Sequence, residues 1–255
     1  MEAYTRRGNS ALSINACAAI VEKGDPERFR AVMAASVSAR RVLFPFYAFN
    51  VEVSRAPWVT KEPMIAEMRL QWWADVLDEV AVGGPVRKHE VTDALADVLD
   101  AQGADCLKGL VSARRWDIYS DAFEDAAHLN EYIDATTGSL LWTAARLLGA
   151  TNEASVRDFA YGVGVANFLR AIPALEDRGR KPLIDGTSDG VRDLAQAALA
   201  RMSAGHAPKD VALAGFLAKP TLKRAIADPQ RVVQGALDLG PLAQGLRLLK
   251  AGLLG

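Results

Sequence analysis

Residues 42–80, VLFPFYAFNVEVSRAPWVTKEPMIAEMRLQWWADVLDEV, read as two consecutive helices broken between Pro57 and Pro63. In the second helix Ile65, Met68, Trp72, Val76 and Val80 recur at i, i+3, i+7, i+11 and i+15, and Trp73 and Leu77 widen the stripe. Such a stripe requires burial against a large apolar surface. Glu67, Arg69, Gln71, Asp75 and Asp78 occupy other positions, so the segment is amphipathic and too polar to span a membrane.

Upstream, residues 10–22 read as a short helix capped by Ser10, and Gly24-Asp25-Pro26 as a stop followed by a new start. A long helical pattern then runs over 26–56, with Pro45 expected to kink or offset it. Downstream, Gly83-Gly84-Pro85 is a loop, 91–101 a helix ended by Gly103, and 106–122 and 129–148 two further helices, the second closed by Gly149. Thr151-Asn152 cap a helix over 153–172 that Pro173 should end. After a loop over 175–190 come shorter helices at 191–203, 208–218, 220–227 and 230–250. No long run alternates with period two. The prediction is an all-α, single-domain helical bundle over 1–255, with no linker and no internal repeat.

Half of the 255 residues are hydrophobic, enough for a sizeable core, and 30 basic against 31 acidic residues leave a formal charge of −1. No Lys/Arg block or basic stripe is present, which argues against a nucleic-acid partner. Cys17 and Cys106 stand apart, without metal-ligand spacing, as expected in a reducing compartment. The first 25 residues lack a continuous apolar segment, and no run reaches the roughly 18–20 residues of a membrane span. The expected location is cytoplasmic, at most peripheral to the inner face of a membrane. A contact of that kind is offered by residues 241–255, where Leu242, Leu246, Leu249 and Leu253 are helically spaced and Arg247 and Lys250 are the only charges. The same pattern also suits a last helix packed on the bundle.

Familiar catalytic signatures fail. Gly162-Val163-Gly164 begins a GxG, but Asn167 takes the third glycine's place and no strand precedes it; no P-loop, GxSxG or HExxH occurs. His89, His128 and His206 read as surface residues. Carboxylates at helical spacing, Asp75/Asp78/Glu79, Asp93/Asp97 and Asp121/Glu124/Asp125, are common on solvated faces of a chain one quarter charged.

Two further segments carry a resemblance. RRVLFPFYAF, beginning at Arg40-Arg41 and containing Tyr47, is similar to the R-R-A-x-x-A-L-Y-A-F stretch of the squalene/phytoene synthase family. Asn167-Phe168-Leu169-Arg170, followed without a gap by Gly179-Arg180 and Leu183, resembles that family's N-I-L-R-D-x-x-E-D-x-x-x-G-R-x-x-L-P. The similarity covers roughly 25–190, leaving 191–255 as C-terminal helices. It implies an isoprenoid-synthase fold of the class I type and the condensation of two prenyl diphosphates, with Mg²⁺ ions bridging two carboxylate clusters to the diphosphate. The family's first aspartates fall here on Ser54, Arg55 and Trp58, its D-x-x-E-D on Ala171, Ala174 and Leu175, and a usual glutamine on Gly164. Mg²⁺ demands anionic oxygens in near-octahedral order, which these residues do not supply. Phe49-Asn50-Val51-Glu52 and Arg69-Leu70-Gln71-Trp72-Trp73 most resemble the degenerate branch that includes a mitochondrial respiratory complex I assembly factor and its bacterial relatives.

The expectation is a protein without metal-dependent prenyl transfer, with no catalytic residue, metal or cofactor. It would act as a binding or assembly factor with a protein client at the respiratory membrane. Two alternatives stay open: an active Mg²⁺-dependent prenyl transferase, or a metal-free binder of an isoprenoid or lipid-like ligand. The candidate ligand residues are Arg40, Arg41, Tyr47, Asn50, Arg55, Asn167, Arg170 and Arg180, the arginines being able to hold a phosphate or carboxylate without metal.

Overall fold

A computed structural model describes residues 2–119 and 121–254, with side chains from Ser13 to Leu253 apart from Ser120. Every regular element among them is helical.

The chain opens with three helices: α1 (Glu2–Gly24), α2 (Pro26–Ala34) and α3 (Val37–Arg55). Helix α1 begins well before Ser10, so Ser10 lies inside the helix and does not cap it. The single pattern expected over 26–56 is two helices, because Ser36 accepts a hydrogen bond from the Ala39 amide and starts α3 anew. Asp25 caps α2 in the same way through the Arg28 amide, with Pro26 at the first turn. Pro45 lies inside α3 and is buried there. A 3-10 turn, Ala56–Trp58, follows, and Pro63 starts α4 (Pro63–Val82).

Helix α4 packs chiefly on α6 (Ala101–Arg114) and buries Ala66, Leu70, Trp73, Val76, Leu77 and Val80. The stripe read from sequence is therefore out of phase over its first half. Ile65 and Met68 are 47% and 66% exposed. Adjacent Trp72 and Trp73 cannot both point inward; Trp73 is buried and Trp72 lies edge-on against it, ring centroids 4.9 Å apart, with His89 packed against both.

Between them, α5 (Thr92–Ala96) is shorter than expected. Gly103 does not end it but sits in the first turn of α6, donating its amide to the Asp100 cap. Helix α6 gives way at Arg115 to a 3-10 turn ending at Ile118 and does not continue to 122. Helices α7 (Ala126–Ile133) and α8 (Ser139–Leu147) form one rod joined by a π-helical segment, Asp134–Gly138. Gly149 closes it at φ 94°, as its position implied.

Helix α9 (Glu153–Glu176), capped by Asn152, is the centre of the bundle. Pro173 does not end it. A proline so near the end removes one amide, and the last turn is closed by the Asp177 amide on the Pro173 carbonyl at 2.9 Å. Ala160–Ala166 are buried without interruption. A Cβ at Gly162 would run into Met202 and the Ala198 carbonyl of α10 (Ser188–Ala204). Helices α11 (Lys209–Ala212), α12 (Ala218–Ala227), α13 (Gln230–Val233) and α14 (Pro241–Leu254) complete the chain, so the helix expected over 230–250 is two. Cys17 and Cys106 are both free.

Two outcomes follow from this packing. Trp73→Ala should lose about 3–5 kcal/mol of stability, whereas Met68→Ala should change it by no more than about 0.5 kcal/mol; equal losses in urea titrations would restore the other stripe. The second concerns Asp100, whose carboxyl is held below the usual range first by its hydrogen bonds from Arg146, against burial, and then by the Gly103 amide. Its ionised form stabilises the fold above the ordinary carboxylate pKa of about 4, and that contribution disappears as pH falls through the depressed value. The stability gap between wild type and Asp100→Asn should therefore narrow on acidification below about pH 4, as read from urea midpoints across a pH series.

Candidate functional site

A cavity of about 1620 Å³ opens between the later turns of α1 and α3, the start of α2, and α9. Helix α3 contributes Asn50, Glu52, Ser54 and Arg55, the following 3-10 turn adds Trp58, and α9 contributes Asn167 and Arg170 from the facing wall. These positions lie about a turn apart along each helix, so the turns of α3 that follow RRVLFPFYAF and the Asn167–Arg170 segment face one cavity although more than a hundred residues separate them, while residues 40–49 do not line it. Lys23, Glu27, Arg28 and Arg30 form the edge nearest α1 and α2, and Arg114 and Thr137 reach it from α6 and the π segment.

The wall is highly paired. Arg170 donates from Nη1 and Nη2 to the two Glu27 oxygens, at 2.7 and 2.8 Å, and from Nε to Asp238 at 2.6 Å. Burial works to lower its pKa, but the hydrogen bonds with Glu27 and Asp238 hold it above the usual arginine range. Arg55 pairs with Glu52 at 3.1 Å and Arg28 with Asp25 at 3.1 Å. The Ser54 hydroxyl donates back to the Val51 carbonyl at 3.3 Å. Three carboxylates on this wall, Asp25, Glu27 and Glu52, are thus each committed to a guanidinium.

Behind the cavity lies a buried charged group. The Tyr132 hydroxyl donates to Asp117 at 2.9 Å and accepts from Arg114 Nη1 at 2.7 Å, while Arg114 also pairs with Asp117 at 3.0 Å. Arg180 donates to the Asp117 carbonyl and lies over the rings of Trp58 and Trp116, 4.8 and 5.6 Å from their centroids. Burial holds its guanidinium below the usual range, against the attraction of Asp117. Arg178 covers the same Trp58 ring at 4.6 Å. Trp58 is therefore enclosed by cations where the resemblance would put a carboxylate.

Of the candidate residues, the structure brings Asn50, Ser54, Arg55, Trp58, Asn167 and Arg170 onto one cavity. Arg180 lies just behind, on Trp58. Arg40 and Arg41 do not join them. Arg40 donates to the Ala35 and Met33 carbonyls at 3.1 and 2.7 Å, closing the end of α2, and Arg41 is exposed. Tyr47 is fully enclosed in the core with the Arg28 guanidinium 5.2 Å from its ring centroid; burial pushes its phenol up to about 12, opposed by Arg28 and reinforced by Asp25. Ala171, Ala174 and Leu175 are not part of the cavity lining. Gly164, where the family has glutamine, is in close contact with the end of α7 and the π segment: a Cβ there would lie 2.6 Å from Ile133 Cγ2 and 3.1 Å from Thr137 Cβ. No side chain fits at that helix crossing.

The first acidic cluster of the sequence is occupied by cations, Asp75 and Glu79 pairing with Arg87 and Asp78 with Lys108, and of the third Asp125 caps α7. Among the described residues, no group of three or more His, Cys, Asp or Glu side chains is arranged to hold a metal ion. Sequence reasoning missed Glu27, Arg28, Arg30 and Arg114 on the cavity wall. The only local signal was the Asp25-Pro26 helix start, which fixes where α2 begins but not which way it faces.

This bundle is that of an isoprenoid synthase. It superimposes on a dehydrosqualene synthase solved in complex with ligand at a TM-score of 0.73, with 13% sequence identity, over 96% of this chain and 97% of the other. The squalene/phytoene synthase family model matches residues 21–184, and the chain belongs to that family. Within it the chain is similar to the NADH dehydrogenase (ubiquinone) complex I, assembly factor 6 homolog of Drosophila melanogaster, 34% identical over 180 residues, covering 66% of this chain and 53% of the other. The Bos taurus and Homo sapiens assembly factor 6 proteins are 23% and 22% identical over 179 and 172 residues, covering 64% and 62% of this chain and 50% and 48% of theirs. The chain spans about half the length of these curated relatives.

The Glu27–Arg170 pair is forked and half-buried, so it should couple measurably. A double-mutant cycle with Glu27→Gln and Arg170→Gln is expected to give about 1 kcal/mol of favourable coupling in urea unfolding; additive losses would mean that solvent screens the pair.

Proposed function

We propose that this chain performs no prenyl transfer and serves as a binding and assembly factor for respiratory complex I, working at the cytoplasmic face of the respiratory membrane. The observation that carries the reading is the chemistry of the facing walls of the cavity. At the positions of the family's carboxylates stand Ser54, Arg55 and Trp58, which line the cavity, and Ala171, Ala174 and Leu175, which do not. Three of the four carboxylates lining the cavity are spent on arginines, Asp25 on Arg28, Glu52 on Arg55 and Glu27 on Arg170, which leaves Glu90. Magnesium takes several free, hard oxygens in octahedral order, and this donor set does not fit it. A metal-bound diphosphate leaving group therefore has no place in the reading. Gly164 supports it independently, since the closed helix crossing leaves no room for the family's glutamine. Similarity to the assembly factor 6 proteins supports a client in complex I.

With the cavity still open, a second reading stays attached to the first: a metal-free ligand of isoprenoid or other lipid-like character, its anionic end held by Arg55 or Arg170 and its chain against Ile20, Val51 and Trp58. Such a ligand would raise the melting temperature of the protein in the presence of EDTA.

Two measurements test the proposal. Incubated with farnesyl or geranylgeranyl diphosphate and Mg²⁺, the purified protein should release no pyrophosphate above a no-protein control; multiple turnovers abolished by EDTA would make it an enzyme. In a host that assembles complex I, deleting the gene should lower the assembled complex and the wild-type gene should restore it. Unchanged complex I in the deletion strain would remove the assembly role.

A further inference from the structure

Helix α14 leaves one face unpartnered. At about 100° per residue, Leu242, Leu246, Leu249 and Leu253 fall on a single narrow stripe, and they are 87%, 70%, 59% and 71% exposed. Leu248 and Ala251 lie on the opposite side of the helix and pack on the core, where α14 sits against α2 and the 3-10 turn Leu213–Gly215. The exposed leucines are thus not a frayed end but the outer face of a docked helix. Arg247 and Lys250 flank the stripe on one side, both exposed, and the helix contains no acidic residue.

We propose that this face docks on an anionic phospholipid surface. The leucines would enter the boundary between headgroups and acyl chains, and Arg247 and Lys250 would meet lipid phosphates. Charge complementarity selects this occupant over a second copy of the chain. Two α14 helices paired along their leucines would bring Arg247 and Lys250 together with no carboxylate on either helix to answer them, over only two heptads. Gly245 and Gly252, beside which there is open space, offer a coiled-coil partner no side chain to pack.

The helix is also fixed at its root to the cavity. Gln244 accepts from Arg30 Nη2 at 2.5 Å and donates to the Leu239 carbonyl at 2.9 Å, and Asp238 holds Arg170. Both arginines line the cavity. A bilayer under α14 therefore lies beside the cavity at a fixed orientation. The proposal rests on the geometry of α14 and holds or fails independently of the complex I assignment.

The test is flotation of the full chain with vesicles of phosphatidylcholine containing phosphatidylglycerol, against phosphatidylcholine alone, alongside size-exclusion chromatography. The wild type should float with the anionic vesicles. Leu246→Asp with Leu249→Asp, both at exposed positions, should abolish flotation without changing the melting temperature. Arg247→Gln and Lys250→Gln should each weaken partitioning about fivefold, and added salt should do the same. Absence of wild-type flotation, or equal flotation of the leucine double variant, overturns the proposal. A wild-type dimer that the double variant converts to monomer, with no flotation by either, overturns it in favour of self-association.

Discussion

Helix α9 is buried on all sides for two turns, from Ala160 to Ala166, and the rest of the bundle is arranged to make that possible. A helix in this position must be apolar all round and must let its neighbours come close. The run Ala160-Tyr161-Gly162-Val163-Gly164-Val165-Ala166 does both. Gly162 admits α10 at Met202, and Gly164 admits the end of α7 at Ile133 and the π segment at Thr137. Before this contact α9 spends Arg157 and Asp158 on ion pairs with Asp134, Glu153 and Arg201; beyond it Asn167 and Arg170 meet the cavity. The position of the site thus follows from where the tight packing stops.

The cavity wall and the group behind it combine polar side chains that are largely paired with one another, though Arg114 Nε and Arg180 Nη1 are buried without a hydrogen bond. Arg170 joins α9 to Glu27 of α2 and to Asp238 ahead of α14. Arg180 and Arg114 share Asp117 from opposite sides, and Trp58 lies beneath two arginines. A wall of this kind differs from a metal site in what it gives an incoming ligand. Guanidinium groups with several donors can exchange one acceptor for another without leaving a buried charge alone, whereas a metal centre needs free oxygens held apart in advance.

Much of this was legible in the sequence, and what was not has definite causes. The all-α class, the Asn152 cap and the Gly149 stop depend on local spacing or on the family resemblance, and each appears where expected. The tryptophan stripe was misplaced because Met64, Ile65 and Met68 are apolar but exposed, and periodicity alone cannot choose a phase when apolar residues spread around a helix. The continuation of α9 past Pro173 was missed because the cost of a proline is small in a last turn that other amides close. Glu27 and Asp238 could not be found at all. They lie 143 and 68 residues from Arg170 in the chain, and only the tertiary packing brings them to it.

The π segment Asp134–Gly138 has a consequence for how this chain changes over generations. It holds one residue more than a plain α-helix needs between α7 and α8, so the two halves of the rod are offset by about 100° from a continuous helix. Tyr132 and Ile133 are buried on the first half, and on the second Ser139–Ala145 are buried all round. Point substitutions can accumulate at exposed α7 positions such as Glu131, but loss of a single residue from 134–138 would rotate every packed side chain of α8 against its neighbours in one step. Lineages descended from this chain should therefore drift in side chains on the α7 half while keeping the length of the rod fixed.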